Sequence, residues 1–367
     1  MNFTTNTKPL ADALDLAIVN SNVSNFHKKS TLVQVTATRT TLRINIESAS
    51  ICTEATIKGS GDADGPVSMF VGSLLLKQLV STFNAPTVTV EFADGGLILH
   101  SGKSKFTLPK MIDEAEIEFV APELPEYTAD ASDITKNKWK FIKDRQMYAI
   151  AMSFIHPVYT RVWVSEDGNV LVGDFDNSLF TLSSKNELPD TCLLSDTIIN
   201  LFNALPDGAK LIKLGRKYLI RYECDSFSYL TQFTPMYEDD PDVGSYNSDI
   251  FLGVLEHPDQ HVEVASNALI QFLNQAQLLA SSSEDCITLE LDGNMLALRD
   301  KNVDCKLEVT NPAESKYEVE FKTESLRKVL ASYSDSDISI APIVQDGVTA
   351  GLLVWDEDVT TMVAGVE

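Results

Sequence analysis

The sequence predicts an α+β protein of three similar domains, each made of two units that combine one helix with an antiparallel sheet. Three observations predict this fold class. Six segments have the apolar period of an amphipathic helix. The stretches between them are short, β-branched runs in which apolar and polar residues alternate, which is typical of antiparallel strands. The helical pattern also recurs at a spacing near one third of the chain.

The six predicted helices are short, and each begins near a residue that favours a helix start. In the first helix Leu10, Leu14 and Ile18 share one face, because successive side chains are rotated by about 100°. Ser, Thr or Asp stands at or shortly before the start of each segment, as is common at helix N-termini. The predicted helices cover residues 10–19, 74–83, 136–150, 197–205, 269–279 and 324–332.

The helices recur in two interleaved series, and within each series they are roughly 125 to 130 residues apart. Such spacing indicates three copies of one domain. Stretches rich in Pro with Glu or Asp at 118–126 and 237–258 serve as boundaries, so the predicted domains are 1–121, 122–250 and 251–367. The residues that anchor the two series are Leu10, Trp139 and Leu269, and Leu74, Thr197 and Leu326.

Composition places the chain among ordinary globular proteins. It has 367 residues, 44% of them hydrophobic, and a formal net charge of -24, which disfavours non-specific adhesion to membranes or nucleic acid. No apolar run approaches a membrane span, and the first residues lack a signal peptide pattern. The five cysteines are far apart, without a Cys-x-x-Cys pair. We therefore expect reduced thiols, no metal site, no cofactor and a cytoplasmic location.

One basic segment stands out against this acidity. Lys136–Arg145 carries five of the 29 basic side chains, and its helical pattern places Lys136, Lys140 and Lys143 on one stripe. Lys138 and Arg145 fall on the opposite side. Trp139 and Ile142 give the helix an apolar face for a core. The lysine stripe could face a phosphate backbone, and a solvated surface helix is the alternative.

Several short motifs, in order and over the whole chain, resemble the bacterial-type DNA polymerase III beta subunit, the sliding clamp. The clearest is the run 101–106, Ser-Gly-Lys-Ser-Lys-Phe, which is similar to the family's Ser-Gly-Arg-Ser-Arg-Phe. The opening 1–4, Met-Asn-Phe-Thr, also fits, as do 172–174, Val-Gly-Asp, and 257–259, His-Pro-Asp.

The resemblance implies a head-to-tail homodimer of three-domain subunits that closes as a ring around double-stranded DNA. Helices would line the hole and sheets would form the outer wall. The partners implied are duplex DNA without sequence preference, a replicative DNA polymerase and a clamp loader, with no membrane. No catalysis is implied, because a closed ring holds DNA by topology and needs only weak phosphate contacts.

The resemblance also implies roles for particular residues. DNA-facing residues are expected on the pore helices, while the helices at 197–205 and 269–279 carry no Lys or Arg. The strand at 103–108 would pair with the edge at 299–308 of a second subunit, which would also cover an exposed sheet edge. The expected DNA-facing residues are Lys28, Lys29, Lys77, Lys136, Lys140, Lys143, Arg327 and Lys328. The expected dimer-interface residues are Lys103, Lys105, Leu108, Leu278, Leu279, Asp300 and Asp304.

A peptide groove for the polymerase is implied between the second and third domains, and here the sequence departs from the family. Ala364 replaces the proline of the family's Met-Pro-Met ending, and residues 175–178 replace its Gly-His-Arg segment. A different peptide preference is therefore expected, which would suit a virus-encoded clamp. The expected groove residues are Val164, Asp174, Leu179, Pro235, Met236, Met362 and Val363.

Two other classes of protein remain open at this point. A β-rich interaction or virion protein would be equally acidic, and a DNA mimic would use surface carboxylates in place of phosphates. The basic helix and the threefold repeat favour the ring over the mimic. The acidic stretch 238–242 resembles a metal site in composition, but it lacks the spacing of a calcium loop and is expected to be a solvated linker. No phosphate-binding loop or catalytic motif is present.

Overall fold

A computed structural model describes most of the chain, and its residues fall into two compact units. One unit comprises Met1–Lys136 with Thr197–Pro235, and the other Asn137–Asp196 with Met236–Glu367. The described residues are 1–19, 32–47, 51–111, 119, 121–122, 131–150, 160–174, 179–237, 239–241, 243, 252–253, 255–279, 286–299, 304–334, 336–345 and 348–366.

All six predicted helices form, and five of them begin one to three residues earlier than predicted. The third ends sooner, at Arg145, and a 3-10 turn at Met147–Ala149 follows it. The helices are α1 Thr7–Ala17, α2 Ser73–Ser81, α3 Lys136–Arg145, α4 Asp196–Ala204, α5 Ser266–Leu279 and α6 Thr323–Ala331.

The strands between the helices are antiparallel throughout, as the alternating pattern predicts. The first ten are β1 Asn2–Asn6, β2 Leu32–Ala37, β3 Thr41–Glu47, β4 Ile51–Lys58, β5 Ser60–Gly61, β6 Val67–Gly72, β7 Thr87–Ala93, β8 Gly96–Ser101, β9 Ser104–Pro109 and β10 Ser132–Asp133. The next seven are β11 Arg161–Val164, β12 Val170–Asp174, β13 Leu179–Ser183, β14 Cys192–Ser195, β15 Lys210–Leu214, β16 Lys217–Glu223 and β17 Phe227–Phe233. The last eight are β18 Val262–Ala265, β19 Cys286–Asp292, β20 Met295–Arg299, β21 Asp304–Glu308, β22 Tyr317–Lys322, β23 Asp337–Gln345, β24 Val348–Trp355 and β25 Val359–Ala364.

Each unit contains one long sheet of eight strands and one shorter sheet. In the first unit the long sheet runs β10-β15-β16-β17-β4-β3-β2-β6 and the short one β5-β1-β7-β8-β9. In the second unit the long sheet runs β14-β11-β12-β13-β25-β24-β23-β18 and the short one β21-β20-β19-β22. The helices with buried apolar faces complete the α+β class that the sequence predicts.

The two long sheets explain why the chain groups into two units. In the first, β17 pairs with β4 over seven residues, from Phe227 opposite Ile57 to Phe233 opposite Ile51. In the second, β13 pairs with β25 over five residues. Each pairing joins strands from different predicted domains, so backbone hydrogen bonding is continuous across both predicted boundaries. The division into 1–121, 122–250 and 251–367 stays a prediction.

The start of α1 and the start of α5 share one hydrogen-bonding arrangement. The hydroxyl of Thr7 donates to the carbonyl oxygen of Ala85, just after α2, over 2.6 Å. The hydroxyl of Ser266 donates to the carbonyl oxygen of Tyr333, just after α6, also over 2.6 Å. The first and last predicted domains therefore close their helix pairs in the same way, which is the structural form of the repeat seen in the sequence.

Three of the hydroxyl residues near helix starts, Thr7, Ser73 and Thr323, are not the helix caps that the sequence suggests. A strand runs straight into each of α1, α2 and α6, so Thr7, Ser73 and Thr323 occupy the first helical turn instead of the position before it. None of these three helices has a side-chain cap hydrogen bond. The end of the preceding strand fixes the first residue of each of these helices. This is why each helix begins before the position predicted from the apolar period.

Candidate functional site

Helix α3 presents an exposed basic stripe. Lys136, Lys140 and Lys143 are all exposed, as the helical period predicts. None of the three forms a hydrogen bond or an ion pair with any residue that the structure describes. Three ammonium groups therefore lie together on one helix face without local neutralisation, in a chain with a formal net charge of -24.

The opposite side of α3 holds the helix in place. Trp139 is fully buried, and its indole N–H donates to Glu187 over 2.7 Å. Arg145 pairs with Asp356 at 2.8 Å, and both side chains are largely buried. Lys138 lies 3.9 Å from the second carboxylate oxygen of Glu187. The five basic residues thus divide as the period predicts, with Lys138 and Arg145 in ion pairs and the stripe lysines free to meet a ligand.

The other predicted DNA-facing residues are placed differently. Lys77 is half-buried on α2 and pairs with Asp15 of α1 at 3.2 Å. On α6, Arg327 and Lys328 share one carboxylate, that of Glu324, at 3.1 and 3.5 Å. Lys77 is compensated by Asp15 and the α6 pair is partly compensated by Glu324, so their long-range attraction for phosphate is weaker than that of the stripe on α3. Two further predicted residues, Lys28 and Lys29, lie outside the described residues.

The two strands predicted to meet at a subunit interface are both edge strands with opposite charge. Strand β9 is the last of its sheet, and Lys103 and Lys105 at its start are exposed. Strand β21 is the last of its own sheet and carries exposed Asp304 and Glu308 with exposed Lys306 between them, which leaves a net negative charge. Asp304 also accepts a hydrogen bond from Arg299 at 3.3 Å. An edge strand offers unpaired backbone groups, so each of these edges can accept another strand.

The apolar residues predicted at this interface do not behave alike. Leu278 on α5 is 85% exposed, which is unusual for a large apolar side chain. Leu108 is only 1% exposed and packs inside its own sheet, because alternate residues of β9 point inward. Phe106 is the half-buried aromatic residue of that strand and stacks on Phe83 at 5.5 Å. The side chain of Leu279 and all of Asp300 lie outside the part of the chain that the structure describes.

The long sheet of the second unit carries an apolar cluster on the face opposite α3 and α6, and we call it the outer-face cluster. Its centre contains two tryptophans, Trp163 and Trp355, and residues from both sides of the β13–β25 pairing. Its members are Trp163, Leu171, Phe180, Leu193, Val243, Leu255, Ala341, Leu353 and Trp355, with Leu182, Met236, Leu252, Ile343 and Met362 half-buried at its margin. The nine central residues are buried within the protein, so only the half-buried margin is accessible to an apolar ligand.

Predicted groove residues are split by the two faces of this sheet. Met236 and Met362 belong to the outer-face cluster. Val164, Leu179 and Val363 are buried, and each follows or precedes a cluster residue on its strand, so it points to the helix-covered face. That face is identified by Thr361, whose hydroxyl accepts from Tyr333 over 2.8 Å. Of the two remaining predicted residues, Pro235 is buried and Asp174 half-buried.

Sequence reasoning missed Trp163, Phe180 and Trp355, which dominate the outer-face cluster. The expected groove residues include aliphatic Val164 and Leu179 but none of these aromatic ones, because the choice between two neighbouring strand residues cannot be made without the register. A usable signal was present, because Trp163 and Trp355 are two of only three tryptophans and both lie in strands. Large aromatic residues with a half-buried margin are typical of recognition surfaces.

Solved structures match this fold over its whole length. The DNA polymerase III beta subunit of Thermotoga maritima aligns with a TM-score of 0.78 at 14% identity, covering 100% of this chain and 99% of that chain. The fold is that of the DNA polymerase III beta subunit. The sliding clamp of Bacillus subtilis aligns with a TM-score of 0.74 at 18% identity and the same coverage. The beta subunit of Pseudomonas aeruginosa gives 0.72 at 16%, with both chains fully covered.

No protein-family model and no curated protein matches the sequence. The sliding-clamp fold is therefore recognised through three-dimensional structure and through the scattered motifs of the sequence. Within the described part of the chain, no helix is long and apolar enough to cross a membrane. The same residues contain no group of three metal-ligating side chains.

Proposed function

We propose that this protein is a DNA sliding clamp, a closed homodimeric ring that encircles duplex DNA and tethers a replicative DNA polymerase. The observation that carries the proposal is the stripe of Lys136, Lys140 and Lys143 on α3. It provides exposed, uncompensated positive charge on a helix of a sliding-clamp fold, in a strongly acidic protein. No other exposed set of three lysines shares one helix face in the described residues.

The stripe suits sliding better than tight binding. Each lysine that meets a phosphate releases counterions and contributes roughly 0.9 to the slope of log affinity against log salt concentration. Three such contacts are few compared with those of a protein that binds DNA tightly on its own. They carry no base information, so the duplex can move past them. Retention would come from closure of the ring, and no catalytic step is required.

Ring closure is supported by the opposite charges of two edge strands. Lys103 and Lys105 mark the free edge of β9, and Asp304 and Glu308 mark the free edge of β21. A head-to-tail dimer would bring β9 of each subunit to β21 of the other, and both edges would then be covered. Leu278, exposed on α5, would supply apolar contact at the same junction.

The outer-face cluster is the proposed attachment point for the polymerase, and a clamp loader is the proposed second partner. Its half-buried margin offers accessible apolar side chains, and short peptides with apolar anchors bind such surfaces. Such a clamp would act in the cytoplasm, where replication takes place in bacteria and their viruses.

Two measurements test the proposed function. Light scattering should give a mass twice that of one chain, and the protein should lengthen the products of its cognate polymerase on a primed circular template when a loader is present. A monomer that leaves product length unchanged would count against the proposal and favour a β-rich interaction protein. Binding to a DNA-binding protein in competition with duplex DNA would instead indicate a DNA mimic.

A further inference from the structure

Beside the outer-face cluster lies a cavity of about 400 Å³ with a negative lining. Leu182 and Leu255 belong to both the cluster and the cavity wall, so the two surfaces are continuous. The cavity wall also contains four carboxylates, those of Glu256, Asp356, Glu357 and Asp358. Lys185 is the one cation among the residues that line it.

Two of these carboxylates are already satisfied within the protein. Asp356 pairs with Arg145 at 2.8 Å and accepts hydrogen bonds from the backbone N–H groups of Asp358 and Val359. Asp358 pairs with Lys185 at 2.6 Å. Lys185 is therefore fully engaged, and it also lies 4.9 Å from the ring centroid of Phe141.

The other two carboxylates have no such partner. Glu256 and Glu357 are exposed, and neither side chain forms a hydrogen bond or ion pair with any described residue. His257 beside them stacks on Trp355 and shares a hydrogen bond of 2.6 Å with Thr360. Burial lowers the pKa of His257, and neighbouring His261 lowers it further, so this ring is less readily protonated than an exposed histidine.

The sequence around the cluster has the same charge bias. No lysine or arginine occurs between Arg221 and Arg299, whereas 14 aspartates and glutamates do. Val243 and Leu255, two members of the cluster, belong to this stretch. A ligand on the outer-face cluster therefore meets negative potential on the side of the cavity, and charge complementarity selects its chemistry.

We propose that the half-buried margin of the outer-face cluster and the acidic cavity form one site for a basic peptide, in which an apolar residue packs on that margin and a neighbouring lysine or arginine enters the cavity between Glu256 and Glu357. The proposal rests on the proposed function and specifies it further, since it names the chemistry of the polymerase or loader segment that this clamp would hold. An acidic tether would be rejected at the same site.

Two synthetic peptides test this assignment on the full-length protein. They share the core Leu-Gly-Leu-Phe, which two lysines flank on each side in one peptide and two glutamates in the other. Fluorescence anisotropy at low salt should show the lysine peptide binding about tenfold more tightly, and the ratio should shrink as salt is added. Equal binding of the two peptides, or tighter binding of the glutamate peptide, would overturn the proposal.

Two double variants test whether the cavity carboxylates cause the preference for the lysine peptide. Glu256→Gln with Glu357→Gln should reduce the preference for the lysine peptide to about twofold, because the two unpaired carboxylates are gone. The matched control, Glu318→Gln with Glu320→Gln, removes the same charge from exposed positions on β22 and should keep the tenfold ratio. An unchanged ratio in the first variant would contradict the assignment of the cavity.

Failure of this proposal can be told apart from failure of the proposed function. Retention on closed circular DNA does not depend on the flanks of any peptide. If neither peptide binds while the protein is retained on circles, the peptide site is wrong and the clamp stands. If the protein is not retained on circles but prefers the lysine peptide, the site stands without the clamp.

Discussion

Arg145 donates a hydrogen bond from Nη2 to Oδ2 of Asp356 over 2.8 Å, and this pair joins the end of α3 to the turn between β24 and β25. The guanidinium carbon also lies 4.9 Å from the ring centroid of Tyr333, which is fully buried. The helix that carries the lysine stripe is therefore fixed at its C-terminal end by a nearly buried ion pair. Its orientation depends on that pair more than on the exposed lysines themselves.

Asp356→Asn should lower the free energy of unfolding by about 3 kcal/mol, because it leaves the Arg145 charge largely buried without its counter-ion. The backbone hydrogen bonds to Oδ1 of this residue can persist in the asparagine variant. Asp358→Asn is the matched control. It removes a more exposed pair with Lys185 and should cost less than about 1 kcal/mol. Urea denaturation measures both, and equal losses would contradict the special role of Arg145.

Replacing Lys136, Lys140 and Lys143 by glutamate should shorten polymerase products several-fold without unfolding the protein, because all three side chains are exposed. A control with the same charge change places glutamate at exposed Lys58, Lys217 and Lys322, which lie on strands. This control should keep product length. If both triple variants fail alike, net charge and not the stripe is responsible.

Leu278→Ser should weaken the dimer while leaving the stability of one subunit within about 0.5 kcal/mol, since an 85% exposed side chain contributes little to the core. Val348→Ser is a suitable control, because Val348 is 68% exposed and lies at the start of β24 instead of on α5. Sedimentation equilibrium measures the dimer. A dissociation constant that changes equally in both variants, or in neither, would remove Leu278 from the interface.

Charge reversal tests the head-to-tail arrangement itself. Lys103→Glu with Lys105→Glu should raise the dimer dissociation constant at least about tenfold, and so should Asp304→Lys with Glu308→Lys, because each homodimer then brings like charges together. A mixture of the two variants should form dimers again, since both junctions of the mixed ring pair opposite charges. Light scattering distinguishes the cases. Failure of the mixture to recover would contradict pairing of these two edges.

The carboxylate of Glu290 gives a prediction on pH. Lys316 donates to it over 2.6 Å and Arg299 contacts its other oxygen, so its pKa lies below the ordinary value of 4.5. A lowered native pKa stabilises the fold above the pKa of the unfolded chain, and that contribution is lost as the pH falls through the native pKa. Glu290→Gln should therefore unfold at lower urea than wild type near neutral pH, and the difference should shrink below about pH 4.5. A difference that does not depend on pH would refute this role.

The helices could be predicted because they depend on local periodicity. Leu10, Leu14 and Ile18 mark a buried face whatever the helix packs against, and all three are buried. The split of the basic helix into exposed Lys140 and paired Arg145 follows from the same period. The sheet order does not follow, because pairing of β17 with β4 joins residues far apart in the chain.

The groove residues stay a prediction, and the sequence alone could not decide which face of the sheet each of them occupies. Trp163 and Val164 are neighbours on β11, and a shift of one position moves a side chain to the other face of the sheet. The family resemblance implies Val164 for the groove, whereas Trp163 is the residue of this pair that belongs to the outer-face cluster. The sequence also does not show which basic side chains are neutralised by a neighbouring carboxylate, because the pairing of Lys77 with Asp15 depends on how α1 and α2 pack.

The central claim is that this protein holds DNA by encircling it. It is tested most directly by loading the protein onto a nicked circular duplex, washing at high salt, and then cutting the circle with a restriction enzyme. We predict that the protein stays on the intact circle, where the ring cannot slide off, and is released after the cut. Release from the intact circle at the same salt, or equal retention on circular and linear DNA, would contradict the claim.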